Sequence, residues 1–201
     1  LHADPAMRAA AIATHDRRAQ QRIAFYRGLL ADVPDAVDRD RRVPRQILAF
    51  DPERASLVEL SGDLRRARAL GILVPGLNTT FEGSGDDVAT VRRFVAGSGG
   101  DVAMISYLGG RFPTGDLAAG LVDAIDPRYA LEMAPRLVAF SEDVERTVGD
   151  VPVTYIGHSY GGSILGTAER FGLTADRVVY AEAAGAGVGV HAPADWHNRN
   201  P

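Results

Sequence analysis

Gly157-His158-Ser159-Tyr160-Gly161 brings together the residue types that an acyl-accepting nucleophile needs. A serine hydroxyl is protonated at neutral pH and attacks a carbonyl only when a base takes its proton and preset N–H donors receive the oxyanion. Glycines on both sides let the chain turn sharply from strand to helix, with the serine at the apex in a backbone conformation that side chains rarely adopt. With eight serines and 22 glycines in 201 residues, roughly 0.1 such pentapeptides are expected by chance. The flanks agree, since Val151-Pro152-Val153-Thr154-Tyr155-Ile156 reads as a buried strand and residues 162–171 as the helix that follows. Ser159 is the candidate nucleophile.

Two backbone donors should accompany it. One is the N–H of Tyr160, which opens the helix, where amides lack intrahelical partners. The second belongs to the loop Pro75-Gly76-Leu77-Asn78-Thr79-Thr80, after the apolar run Leu70-Gly71-Ile72-Leu73-Val74, with the amide of Leu77 or Asn78 as candidate. Asn78 and the two threonines can alternatively hydrogen-bond the loop to itself.

The acid and base are harder to place. Such a triad runs serine, then Asp or Glu, then histidine, and only 42 residues follow Ser159. A helix and the strand Arg177-Val178-Val179-Tyr180-Ala181 use about half of them. Three expectations compete: a domain incomplete at its C-terminus, with acid and histidine beyond residue 201; a compact internal triad of Glu182 or Asp195 with His191 or His197; and a fold without catalysis. Trp196 and His197 should have something to pack against. His158 is expected to shape the elbow by packing or hydrogen bonding, on the wrong side to be a base. His191, Asp195 and His197 lack a third histidine nearby, so no metal site is expected, and the chemistry needs no cofactor. His2 and His15 read as surface residues.

The elements that must position these groups alternate along the chain. Residues 5–30 read as one long amphipathic helix or two short ones, with Ile12, Ile23, Tyr26 and Leu30 at roughly helical intervals. Residues 32–44 read as a charged surface connection between an N-terminal helical arm, 1–32, and a main domain, 45–201. Gln46-Ile47-Leu48-Ala49-Phe50 and Ser56-Leu57-Val58-Glu59-Leu60 bracket Asp51-Pro52-Glu53-Arg54 as a hairpin. Between the strands at 70–74 and 102–107 lies a helix, with capping-box spacing at Ser84 and Asp87 and Val88, Val91 and Val95 on one face. Residues 108–135 form either a lid or a long crossover, and Pro135 predicts two helices or a kink. A further helix ends at Gly149. This order implies an α/β fold, a mostly parallel sheet with an antiparallel N-terminal hairpin and helices on both faces.

Composition excludes other classes. A net charge of −4 carries no nucleic-acid footprint. The arginines at 39, 41, 42 and 45 and at 65, 66 and 68 are interleaved with acids and read as solvated surface. No apolar run approaches the roughly 20 residues of a membrane span, and the absence of cysteine removes disulfides and thiolate chemistry. No signal peptide is visible and the cytoplasm is favoured; oligomeric state is not encoded in any motif.

Ile47-Leu48-Ala49-Phe50-Asp51-Pro52, Val74-Pro75-Gly76-Leu77-Asn78-Thr79-Thr80 and Gly157-His158-Ser159-Tyr160-Gly161-Gly162 together resemble an actinobacterial family of α/β-hydrolases of unknown function, from about residue 45 onward. The glycine-rich turn at 185–189 and His191-Ala192-Pro193-Ala194-Asp195 look like that family's stretch after the sixth strand. Glu182-Ala183-Ala184 departs from it, where serine and proline are more usual. The resemblance implies a serine hydrolase fold and names no substrate. The resulting expectation is hydrolysis of a small-molecule carboxylic ester, short-acyl or lipid-like. The alternatives are an acyltransferase using the same serine and a non-catalytic α/β binding module.

Overall fold

The computed structural model describes residues 5–113 and 126–197, with side chains from residue 12 onward. Six strands form the main sheet: β3 (Gln46–Asp51), β4 (Ser56–Ser61), β5 (Ala69–Val74), β6 (Val102–Leu108), β7 (Val153–His158) and β8 (Arg177–Ala181). Their spatial order is β3-β4-β6-β5-β7-β8. β4 runs antiparallel to both of its neighbours, and the pairs β6/β5, β5/β7 and β7/β8 are parallel. The helices are α1 (Pro5–Leu30), α2 (Gly85–Gly97), α3 (Arg128–Val148) and α4 (Tyr160–Arg170). Among the described residues no helix is long and apolar enough to cross a membrane.

Continuous apolar strands arise because both faces of the sheet are covered. Successive residues alternate between two cores. Ile72, Ile105 and Tyr155 pack with residues of α3 and α4, including Leu137, Ile164 and Leu165. Their neighbours Leu73, Met104 and Ile156 pack on the other face, with Val91 and Val95 of α2. β5 leads through α2 to β6 on one side, and the chain then returns past β5 to β7 on the other. That reversal opens a crevice at the carboxyl ends of β5 and β7, where ligand sites of open α/β sheets form. Ser159 and the loop 75–80 both lie there.

Several local expectations change. The connection 32–44 contains a two-stranded ribbon, β1 (Val33–Pro34) against β2 (Arg42–Val43). Its turn closes on Asp35, whose carboxylate accepts from the amides of Val37 and Asp38 and pairs with Arg41 at 2.7 Å. α1 is a single helix, but of the stripe Ile12, Ile23, Tyr26 and Leu30 only Tyr26 packs, beside Phe25 and Leu29 near the C-terminal end, and the other three are exposed. α3 runs unbroken through Pro135. The proline faces solvent, so the carbonyl it leaves without an amide lies on the wet side of the helix, while Met133, Ala134 and Leu137 hold the other face. Residues 114–125, the centre of the expected lid or crossover, lie outside the described residues.

The hairpin forms as expected. Asp51 Oδ1 accepts from the amides of Glu53 and Arg54, each at 3.1 Å. The arginine clusters are only partly solvated surface. Arg45 is partly buried against Glu59 of β4, with Nε 2.9 Å from Oε1 and a second bond from Nη2 to Oε2. Its Nη1 reaches the Gly28 carbonyl, 3.3 Å away, near the end of α1.

Candidate functional site

β7 ends at His158, α4 begins at Tyr160, and Ser159 makes the whole turn between them with φ 52° and ψ −119°. A non-glycine residue held there costs about 1–3 kcal/mol and persists only where its surroundings over-determine it. Here they do. The Ser159 amide donates to the Ala181 carbonyl at 3.0 Å, while its own carbonyl accepts from Gly162 at 3.0 Å and Ala184 at 2.9 Å. The two elbow glycines are demanded by contact. A β-carbon on Gly161 would sit 2.1 Å from the Val74 carbonyl oxygen, and one on Gly157 would sit 2.8 Å from that of Gly161.

The loop after β5 closes against this turn. Gly76 lies so near that a β-carbon there would be 2.7 Å from Ser159 Cβ and 3.2 Å from Ser159 Oγ. Asn78 has φ 64°, and its amide donates to the Pro113 carbonyl at 3.0 Å. Thr80 ties the loop to itself, its Oγ1 accepting from the Gly83 amide at 3.0 Å. The Tyr160 side chain serves the core: its ring is buried and edge-on to Tyr129, and its hydroxyl donates to the Asp126 carbonyl at 2.7 Å. Burial pushes that phenol up to about 12.

The structure separates the four candidate acids and bases into two groups. Glu182 stays at the elbow, just past β8 with φ 47°, and its carboxylate lies 3.7 Å from His158 Nε2. His158 is thus half-exposed toward an acid rather than packed. The remaining three follow a strap, residues 183–197, that runs down α4 away from Ser159. Ala183 lies against Gly162, Ala186 against Gly166, and the Val188 amide donates to Thr167 Oγ1 at 2.8 Å. At its end the His197 ring nitrogen meets the Arg170 carbonyl at 2.9 Å. Arg170 is the last residue of α4 and Ser159 its cap, a helix length of roughly 16 Å. Asp195 spends its carboxylate on the amides of His191 and Ala192, which hold it below the usual carboxylate range. The compact triad through His191 or His197 is therefore not assembled. Trp196 has its partners within the strap and sheet, stacking on Tyr180 with centroids 5.7 Å apart and donating to the Ala186 carbonyl at 3.3 Å.

Residues 51–199 match the model of the family described as alpha/beta hydrolase. The chain belongs to the alpha/beta hydrolase family. A search of curated proteins gave no match.

One residue near the turn was hidden in sequence. Asp87 has the spacing of a capping partner for Ser84, but no capping box forms, because Ser84 Oγ turns back to donate to the Phe81 carbonyl at 2.9 Å. The Asp87 carboxyl instead lies within electrostatic reach of the Thr79 side chain in the loop after β5 and of His158. Only the spatial neighbourhood reveals this. Partial burial raises the Asp87 pKa above its ordinary value, against the smaller opposing effects of Thr79 and His158. A carboxyl whose folded pKa exceeds its unfolded one binds more protons when folded, so its ionisation lowers stability as pH rises through that window. Asp87→Asn, which keeps the size and polarity of the side chain without its charge, should therefore be more stable than the parent at pH 7. The advantage should vanish below about pH 4, as read by urea melts at both pH values.

A cleft of about 800 Å³ lies at the opposite end of the sheet, between the β1/β2 ribbon and the amino ends of β5 and β6. Three of the six arginines that line it are paired with acids, Arg41 with Asp35, Arg45 with Glu59 and Arg65 with Asp63. Its lining includes no residue of the turn at 157–161 or of the loop 75–80.

Proposed function

We propose that this alpha/beta hydrolase cleaves carboxylic esters of small molecules, with Ser159 as nucleophile. The observation that carries the reading is the left-handed backbone of Ser159 at a strand-to-helix turn, with Gly76 of the neighbouring loop against its side chain. Ser159 Oγ adds to the ester carbonyl as its proton passes to a base. The carbon–oxygen bond to the alcohol then breaks, the alcohol leaves with a proton, and water releases the acid from the acyl-enzyme.

The amide of Tyr160 supplies one oxyanion donor, as the first in α4. Of the two candidates in the loop after β5, Asn78 has given its amide to Pro113, which favours Leu77 as the second. Each such donor stabilises the transition state by about 3 kcal/mol. The base is not drawn from the strap, since His197 sits at the far end of α4 and Asp195 holds its own turn. Acyl transfer to an acceptor other than water would use the same residues and is separated by product analysis.

The test is reaction of the intact protein with a fluorophosphonate followed by peptide mass mapping. A single adduct on the peptide containing Ser159 is expected. No adduct, or one on another residue, sinks the assignment.

A further inference from the structure

We propose that the last two turns of α1 hold the loop 75–80 in its working geometry, making Phe25 and Tyr26 positioning residues for the oxyanion side of the site. This rests on the reading of Ser159 as nucleophile.

Phe81 follows Thr80 directly, so it is the outer anchor of a six-residue loop whose inner anchor is β5. Phe81 is only 6% exposed, although it lies in a surface connection. Rings from two other elements cover it. Phe25 of α1 meets it edge-on at 5.0 Å, Phe50 of β3 lies 5.6 Å away, and Tyr26 closes the group at 5.9 Å from Phe50 and 6.5 Å from Phe81. Edge-on rings constrain one another's orientation as well as their distance. Beside the cluster Arg22 of α1 pairs with Glu82 at 3.2 Å.

The helix end that carries these rings is itself fixed. Leu29 is buried in the main core, and Arg45 Nη1 bonds the Gly28 carbonyl while its other nitrogens hold Glu59. A mechanical path therefore runs from β4 through Arg45 to α1, and from Phe25 and Tyr26 through Phe81 to the loop. That loop has little room to move inward, since even a β-carbon on Gly76 would stand 2.7 Å from Ser159 Cβ. α1 lies wholly ahead of the segment 51–199 that matches the family model. The buttress is thus contributed by a part of the chain outside the matched segment.

The experiment compares the full chain with Phe25→Ala, Phe25→Leu and the control Ile23→Ala, whose side chain is exposed on the same helix. Hydrogen exchange at amides 76–80 and the fluorophosphonate labelling rate are both measured. Phe25→Ala should speed exchange at 76–80 about tenfold, leave β5 and β7 unchanged, and slow labelling roughly tenfold or more. Phe25→Leu should recover most of both effects, and Ile23→Ala should show neither. The proposal is overturned by unchanged exchange at 76–80, by a rise spread equally over β5 and β7, or by parent-like labelling despite a loosened loop. A parent that never labels, with loop exchange still following Phe25, counts for the coupling of α1 to the loop and against Ser159 as nucleophile.

Discussion

Gly76→Ala should lower the rate at which Ser159 reacts with a fluorophosphonate about a hundredfold while leaving the protein folded. The new methyl would stand 2.7 Å from Ser159 Cβ, 3.1 Å from the His158 carbonyl oxygen and 3.2 Å from Ser159 Oγ. None of these can yield cheaply. The serine is pinned by three main-chain hydrogen bonds, to Ala181, Gly162 and Ala184, and the His158 carbonyl belongs to a strand end. The loop after β5 must therefore move outward and take the Leu77 amide with it. A displacement near 1 Å at a reacting centre costs on the order of a hundredfold, whereas inserting one methyl at the crevice costs folding only about 1–3 kcal/mol. Labelling kinetics beside a thermal melt separate the two effects. A folded Gly76→Ala protein that labels within threefold of the parent would remove the loop from the site.

Arg45→Met is expected to destabilise the protein by about 3–5 kcal/mol. Glu59 is a carboxylate in the middle of β4 with its side chain 3% exposed, and Arg45, at 14%, is the cation that makes that burial tolerable. Removing the guanidinium leaves a charge with neither water nor partner, and it also frees the Gly28 carbonyl near the end of α1. In a chain of this size the melting temperature should fall by roughly 10 °C. The paired replacement Arg45→Met with Glu59→Met should recover most of the loss, because no charge is then stranded. A single replacement costing under 1 kcal/mol in urea melts would show that the pair is effectively solvated.

Both results bear on what was legible in the residues alone. The elbow, the strand before it and the helix after it follow from glycine spacing and apolar runs, which are local constraints, and the local structure agrees. So do the hairpin closed by Asp51 and the valine face of α2. Arg45 was read as solvated because it stands in a row of charges, and nothing nearby in sequence names Glu59, fourteen residues on and across a strand pair. Asp87 was read as a cap for the same reason: its neighbour Thr79 sits on a loop whose path depends on the whole sheet. The helical stripe at 12, 23, 26 and 30 failed in the opposite sense at all but Tyr26, since a periodic pattern needs a surface to meet and only the last turns of α1 have one.

What the sequence determined by itself is the order of elements and the chemical type of the turn, because strand and helix period, glycine placement and the serine between them act over a few residues. The tertiary structure alone decided which groups share the crevice. Sheet order places the loop after β5 beside the turn after β7, although about eighty residues separate them. The same packing sends the strap down α4, carrying His191 and His197 away from Ser159, and brings Asp87 and Glu182 toward His158. Contacts between residues distant in the chain are set by which faces bury one another, and that is a property of the assembled sheet rather than of any segment in it.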